Sequence, residues 1–530
     1  MSKTPKQNTF FGGAAILAVG IVLVKIISAV YKMPLINILG SGYTDFTNAF
    51  NIFNILLMVS TAGIPVAMSK MISQANAQDK QNQVHKIFRV TFLFFMAVGV
   101  ICSLAMFFGA DAFAGLMGNP KAALSMKVLA PSVALVAGLA AFRGYAQGHS
   151  HMTPSSVSQI IEAFFKLLVG LSLAMWLIHV GYDESTAAAG AIAGVTISEL
   201  AALIYMAWEY GKTRRLEPPA GNDIPWSTKK ILKVCLSLAI PITLTSSATS
   251  IITTVDASLV MQQLQNAVGL SLDAARELYA NYSGVQTVYQ IPASLMVAIT
   301  ASVIPAVTVY FANKDRAGAA RVVGSSLKTA AIFAFPSGIG MLVLGKPIVQ
   351  LLFPRLDAEI AGLILSILGV ANIFVCMTLV CNSVLQAHEV MRLPIVTMVI
   401  GGIIMVIFDF FVVAIPEINI FGSPIGTCIG YGITCLLNLI AVKKIVPGCP
   451  NYRTVFGKTL FSAVVMGATA WAVYGLLFKL TGRNTIALII AIGLAVFIYF
   501  ALILLLRAIN KDDLALMPKG DKIGKLLRIK

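Results

Sequence analysis

Arg143-Gly-Tyr-Ala-Gln147-Gly-His149-Ser-His-Met-Thr-Pro154-Ser-Ser-Val-Ser-Gln-Ile-Ile-Glu162-Ala-Phe-Phe-Lys166 joins two long apolar runs, residues 124–146 and 155–179. Each run is long enough to cross the hydrocarbon core of a bilayer, roughly 30 Å, as a helix. Glu162 and Lys166 are four residues apart and share one helix face. A charge at the centre of a membrane helix costs about 2.5–3.5 kcal/mol on insertion scales. Three charges in one helix pair therefore need a reason.

The apolar pattern continues in both directions. The chain has 530 residues, of which 58% are hydrophobic and 12% charged, and its mean hydropathy is +0.86. Soluble domains carry about 25% charged residues. Fourteen apolar segments can be placed, at 11–39, 46–72, 88–109, 124–146, 155–179, 186–210, 231–262, 284–312, 322–345, 358–386, 393–415, 423–442, 457–479 and 485–507. They predict an all-α polytopic membrane protein with 14 transmembrane helices. A β-barrel is excluded, because its strands are short and alternate in polarity. The first segment is too long for a signal peptide, carries Lys25 midway and leads into further spans.

The net charge of +17 suggests nucleic acid until the charges are located. With the N-terminus in the cytoplasm, 28 of the 39 Lys and Arg fall in alternate loops and the tail on that side, and 7 on the other. Such an asymmetry orients a membrane protein, with both termini inside, and leaves no basic face for nucleic acid. The remaining four, Lys25, Lys32, Arg143 and Lys166, lie within spans. The seven cysteines show no CxxC spacing and read as small buried hydrophobes.

An internal repeat organises the spans. Thr61-Ala-Gly-Ile-Pro65-Val returns as Ala301-Ser-Val-Ile-Pro305-Ala, and Tyr145-Ala-Gln147-Gly-His149 leading to Pro154 returns as Val384-Leu-Gln386-Ala-His388 leading to Pro394. The offsets are 240, 239 and 240 residues. An even number of spans per repeat implies two parallel six-helix lobes. The expected layout is an N-lobe over 1–215, a cytoplasmic linker over 216–230, a C-lobe over 231–447, two extra helices over 448–510 and a basic cytoplasmic tail over 511–530.

The repeat also isolates the charges. Shifted by 240, Arg143, Glu162 and Lys166 fall on Ser383, Gly402 and Val406. A requirement of the fold would appear in both halves, so the charges point to a cavity for a polar substrate. Lys25, Arg143, Glu162 and Lys166 are the expected substrate-binding set. Lys32, Asp45, Glu199 and Asp256 are the expected gate or coupling groups, with Asp256 as a partner for Lys25. Asp409 reads as an interface residue. There is no Walker A run, HExxH, GxSxG or metal cluster. The expectation is a transporter rather than an enzyme, without a cofactor, driven by a monovalent cation or the membrane potential.

Ala62-Gly-Ile-Pro65-Val-Ala-Met-Ser69-Lys70-Met-Ile-Ser73 resembles the second-helix motif of the YtgP/SpoVB branch of the MurJ-type lipid II flippases, and Phe142 to Glu162 resembles its fourth-to-fifth helix motif. These belong to the multidrug/oligosaccharidyl-lipid/polysaccharide exporter (MOP) superfamily. The resemblance implies fourteen helices and the transfer of undecaprenyl-pyrophosphate-linked peptidoglycan precursor from the inner to the outer leaflet. It implies that cavity cations hold the pyrophosphate and that the last two helices form a groove for the lipid tail. Lys25 falls on a basic position of the family and Asp45 on an acidic one; a further first-helix arginine falls near Tyr31 and Lys32. The family's second-helix arginine falls among Leu56, Leu57 and Met58 and is missing, which leaves its role to Arg143, Glu162 and Lys166. The implied setting is the bacterial plasma membrane, with a lipid-linked oligosaccharide as substrate, lipids and cell-wall synthesis machinery as partners, and a monomer. A flippase for another polyprenyl-linked glycan and a MATE-type cation or drug antiporter are the alternatives.

Overall fold

The computed structural model describes residues 20, 23, 24, 27, 28, 30–61, 63–216, 223–312, 315–390, 392–446, 448, 451–506 and 508. Lys25, Cys449 and the 511–530 tail lie outside them. The chain is an all-helical multi-pass membrane protein, and no strand occurs among the described residues. The helices are α1 (Val30–Leu39), α2 (Gly42–Thr61), α3 (Ile64–Ala77), α4 (Gln81–Phe108), α5 (Ala110–Leu116), α6 (Ala123–Gly148), α7 (Thr153–Phe165), α8 (Leu171–Val180), α9 (Glu184–Leu216), α10 (Thr228–Asn266), α11 (Leu272–Ala312), α12 (Arg316–Leu352), α13 (Ala358–Ala387), α14 (Arg392–Val412), α15 (Gly422–Ile445), α16 (Tyr452–Thr481) and α17 (Asn484–Leu505). Helices stand at thirteen of the fourteen predicted places and over the described end of the first, and among the described residues eleven are long and apolar enough to cross a membrane.

The second predicted span is described as α2 and α3, with Pro65 in the first turn of α3. Proline suits a helix start because its missing N–H is unneeded there. Gly63 packs tightly: a β-carbon on it would lie 2.4 Å from the Ala239 Cα. The matching Pro305 lies within α11. The fifth helix carries a π-helical turn at Lys166–Gly170, between α7 and α8.

By contacts, the chain forms one unit from residues 1–265 and 270–280, and another from 266–269 and 281–530. The first unit thus includes α10 and the start of α11. Its core is the stripe Ile64, Ala67, Met68, Met71 and Ile72 of α3, packed with Ile87 and Phe88 of α4, Tyr145 of α6 and Ile231, Cys235 and Ala239 of α10. These recur at three- and four-residue steps, which puts them on one side of each helix. Asp223, in the predicted linker, accepts from the backbone N–H groups of Asn82 (3.1 Å) and Gln83 (2.9 Å) at the start of α4. Those first-turn donors have no partner inside their own helix.

In the second unit, α12 and α13 touch through glycines. A β-carbon on Gly338 would lie 2.6 Å from the Gly369 carbonyl oxygen, and one on Gly345 would lie 2.5 Å from that of Gly362. Small residues let membrane helices approach closely where no hydrophobic force drives them together. A kink at Leu344 precedes Pro347, which cannot donate to the carbonyl four residues back. Ala463, Met466, Ala470 and Tyr499 tie α16 and α17 to this core, and the Tyr499 hydroxyl donates to the Ile332 carbonyl at 2.8 Å. Asp409 is fully buried, against Gly426 of α15. Among the described residues no cysteine forms a disulfide: Cys235, Cys376, Cys381 and Cys435 are buried thiols, and Cys102 and Cys428 are half-buried.

The repeat is written in the backbone as well. After α6, His151 N–H donates to the Ala146 carbonyl at 2.9 Å and His149 N–H to that of Tyr145 at 3.2 Å. After α13, Val390 N–H donates to Leu385 at 3.0 Å and His388 N–H to Val384 at 3.2 Å. Ser150 and Glu389 take left-handed φ values of +61° and +63°. Both ends are the same left-handed helix stop, 239 residues apart.

Candidate substrate site and closure cluster

Arg143, one turn before the end of α6, is 15% exposed. Its Nε donates to Ser158 Oγ at 2.9 Å and an Nη donates to Glu162 Oε2 at 3.1 Å. Ser158 and Glu162 are four residues apart on α7 and face α6 together. Ser158 Oγ also donates to the Ser155 carbonyl at 2.8 Å, so the hydroxyl that receives Arg143 is itself fixed. Lys166 does not close on Glu162. It opens the π-helical turn and holds its ammonium 5.7 Å from the centre of the Phe50 ring, a cation–π distance. On α9, Glu199 is 5% exposed and interacts electrostatically with Glu162, Lys166 and Arg143. The structure therefore brings together four of the eight residues singled out from sequence: Arg143, Glu162, Lys166 and Glu199.

What fixes these four is close backbone packing. A β-carbon on Gly194 would lie 2.2 Å from the Gly170 Cα, so α9 rests on the π-helical turn backbone to backbone. Gly170 also receives the Tyr31 hydroxyl, 3.1 Å from where its β-carbon would stand.

A second cluster surrounds Asp45, in the first turn of α2. Asp45 is fully buried and Arg276 is 4% exposed at its side chain. Arg276 Nε donates to Oδ1 at 3.0 Å and an Nη to Oδ2 at 2.6 Å. Asn119 Nδ2 donates to Oδ1 at 2.7 Å. The arginine donates further to Ser185 Oγ at 2.9 Å and Asp273 Oδ1 at 2.9 Å, and Thr44 donates to its carbonyl at 2.7 Å. Lys121 meets Asp273 at 2.6 Å. The two hydrogen bonds from Lys121 and Arg276 hold the Asp273 carboxyl below its ordinary range. Beside this, Ser41 donates to Glu184 at 2.7 Å. The starts of α2, α9 and α11 and the approach to α6 are thus tied at one end of the first unit.

The other predicted groups stand apart. Lys32 is half-buried on α1 and makes no ion pair among the described residues. Asp256 is buried on α10, two residues past Thr254, whose hydroxyl donates to the Asn51 carbonyl at 3.2 Å. Its expected partner Lys25 lies outside the described residues. Sequence reasoning missed Arg276, Asn119, Ser185 and Ser158. Only Arg276 left a signal: it is one of seven basic residues on the expected outer side, where a buried Asp45 would need one.

The sequence profile of the family described as polysaccharide biosynthesis protein matches residues 10–311, more than half of the chain. The chain belongs to this family. Among relatives, the membrane protein YabM of Bacillus subtilis (strain 168) is 28% identical over 532 residues, covering 99% of this chain and 97% of that one. The lipid II flippase MurJ of the same organism is 23% identical over 529 residues, covering 92% and 94%. Among solved structures, the inward closed conformation of a lipid II flippase MurJ superposes with a TM-score of 0.71 at 16% identity, covering 92% of this chain and 98% of that one. The likeness to the lipid II flippase MurJ thus runs the length of the fold.

Proposed function

We propose that this protein is a flippase that carries a polyprenyl-pyrophosphate-linked glycan, lipid II in the first instance, from the inner to the outer leaflet by alternating access. The observation that carries the reading is the pair of cations Arg143 and Lys166 among membrane-spanning helices. Arg143 is held by one carboxylate and a hydroxyl, and Lys166 by an aromatic ring. Both can turn to a pyrophosphate without leaving a strong bidentate partner. A guanidinium fork matches phosphate oxygens in pairs, and an ammonium adds a point charge. Lys25 completes the set. Asp45 and Arg276 act as the outer closure, while Lys32, Glu199 and Asp256 serve gating or coupling. The apolar faces of α16 and α17, with Trp471 68% and Phe497 70% exposed, receive the lipid tail.

The protein works as a monomer in the bacterial plasma membrane, both termini in the cytoplasm, without a cofactor, and hands its cargo to the cell-wall synthesis machinery. An inside-negative potential of 100 mV favours outward movement of each negative charge by about 2.3 kcal/mol. A monovalent cation gradient is the other source of drive. The buried acids Glu199 and Asp256 favour a second reading, a cation or drug antiporter. One experiment separates them. Depletion is expected to leave lipid II on the inner leaflet, with rescue by the wild-type chain and by no Arg143→Ala or Lys166→Ala variant. Accumulation of a different lipid-linked glycan would change the cargo. Drug sensitivity without any accumulation would sink the flippase reading.

A further inference from the structure

Resting on the reading of a pyrophosphate headgroup at Arg143, we propose that Asn382 in the second unit binds the hydroxyl and acetamido groups of the sugar that the pyrophosphate carries, with Asn438 and Thr397 as its positioning residues. The helix stops after α6 and α13 are 239 residues apart. The helices that follow keep this offset, α7 starting at Thr153 and α14 at Arg392. At the offset fixed by the backbone, Arg143 falls on Asn382, one residue before the Ser383 of the sequence repeat, while Ser158 falls on Thr397 and Glu199 on Asn438. Arg143 and Asn382 each lie six residues before the histidine that follows their helix. The bonds repeat as well. Ser158 Oγ is 2.8 Å from the Ser155 carbonyl, and Thr397 Oγ1 is 3.0 Å from that of Pro394, again 239 residues on. In the first unit Arg143 of α6 donates to Ser158 of α7. In the second unit the three corresponding positions form one chain across α14, α15 and α13. Thr397 Oγ1 lies 2.7 Å from Asn438 Oδ1, and Asn438 Nδ2 donates to Asn382 Oδ1 at 2.9 Å.

Asn438 and Thr397 are buried, so the chain is anchored inside the unit and ends at Asn382, which is half-buried. Asn382 Nδ2 donates to nothing among the described residues. Polar side chains tie membrane helices together, and Thr397 and Asn438 already join α14 to α15. Such a tie has no use for a third member with an N–H2 group left over, because an unsatisfied donor at membrane depth is costly. An amide held through its oxygen and open at its nitrogen is a donor aimed by its partner. Charge decides what it meets. The positions of Glu162 and Lys166 are taken here by Gly401 and Met405, so this copy of the site carries no charge. A pyrophosphate is matched by cations. A neutral amide donor suits hydroxyl and carbonyl oxygens, which a sugar and its acetamido group supply. The first unit takes the anion, and the second takes the sugar. A polar site of this kind discriminates against a cargo that lacks the group it binds, since its own donor is then left unpaired.

The test uses the full chain in lipid nanodiscs and two pyrophosphate diesters of equal charge, farnesyl-pyrophosphoryl-N-acetylglucosamine and farnesyl methyl pyrophosphate. Calorimetry gives a dissociation constant for each. Wild type is expected to bind the sugar probe about tenfold more tightly than the methyl probe. Asn382→Ala is expected to lose most of that preference, and Arg143→Ala to weaken both probes while keeping it. Asn438→Leu, which leaves Asn382 without its partner, is expected to lower the preference as well. If Asn382→Ala fails to fold, Asn382→Leu, closer in volume, is read in its place with the same loss expected. Equal binding of the two probes by wild type, or a preference that survives in the Asn382 variant, overturns the sugar site and leaves the headgroup reading intact. A lower melting temperature with the preference kept makes Asn382 a helix tie and overturns the proposal in the same way. No binding of either probe by wild type overturns the headgroup reading, and the sugar site with it.

Discussion

Arg276 grips a fully buried carboxylate with both arms of its fork, and such a residue tolerates few replacements. Removing one partner of a buried ion pair typically costs about 3–5 kcal/mol, because the other charge is left without compensation. Arg276→Ala is expected to lower stability by that order and to abolish complementation of a depleted strain. Arg276→Lys restores the charge without the fork and is expected to recover less than half of the loss, measured by thermal unfolding in detergent. Recovery to the wild-type melting temperature would show that the bidentate geometry matters little. The exposed edge of the same cluster sets a pH dependence. Asp273 titrates lower folded than unfolded, so its contribution is full above the unfolded value of about 3.9 and is lost as pH falls through the lower folded one. Wild type and Asp273→Asn should therefore differ in melting temperature at neutral pH and converge only under strongly acid conditions. Asp45 was legible in the sequence; Arg276 was not, because it is 231 residues away and no local pattern records such a pairing. Glu162 pairs with Arg143, nineteen residues away, rather than with Lys166 four residues on. The four-residue spacing to Lys166 assumes a regular helix, and Lys166 begins a π-helical turn.

At the level of elements, the fourteen apolar runs were readable because a membrane helix needs about 20 apolar residues in a row. Where helices touch was less readable, since a glycine at a backbone contact looks like any other glycine in a membrane span. Gly194 is the sharpest case. Its replacement by Ala would push a methyl group into the Gly170 backbone, and overpacking typically costs about 1–3 kcal/mol. Gly194→Ala is expected to melt earlier and to transport poorly, because Glu199 and Lys166 are set by that contact. Gly475 on α16 has nothing within 4 Å of its β-carbon position. Gly475→Ala is expected to be neutral or to gain up to about 1 kcal/mol. Equal melting temperatures for the two variants would refute the contact.

For the whole molecule, the distribution of basic residues makes a topological prediction. Cysteines introduced one at a time into loops on the 28-residue side should be shielded from impermeant reagents in intact cells, and those on the 7-residue side should react. The reverse pattern would invert the assigned direction of transport. The paired helix stops after α6 and α13 offer a means of watching that transport. Ser150 and Glu389 are both exposed, both in left-handed turns of the same geometry, and they fall one in each unit. None of the described native cysteines is exposed. A spin label at each position would give the two units reporters with matched local backbone. A change in the interlabel distance would then register motion of the units rather than a difference between the labels' surroundings. The two matched helix stops thus give the fold a spectroscopic ruler.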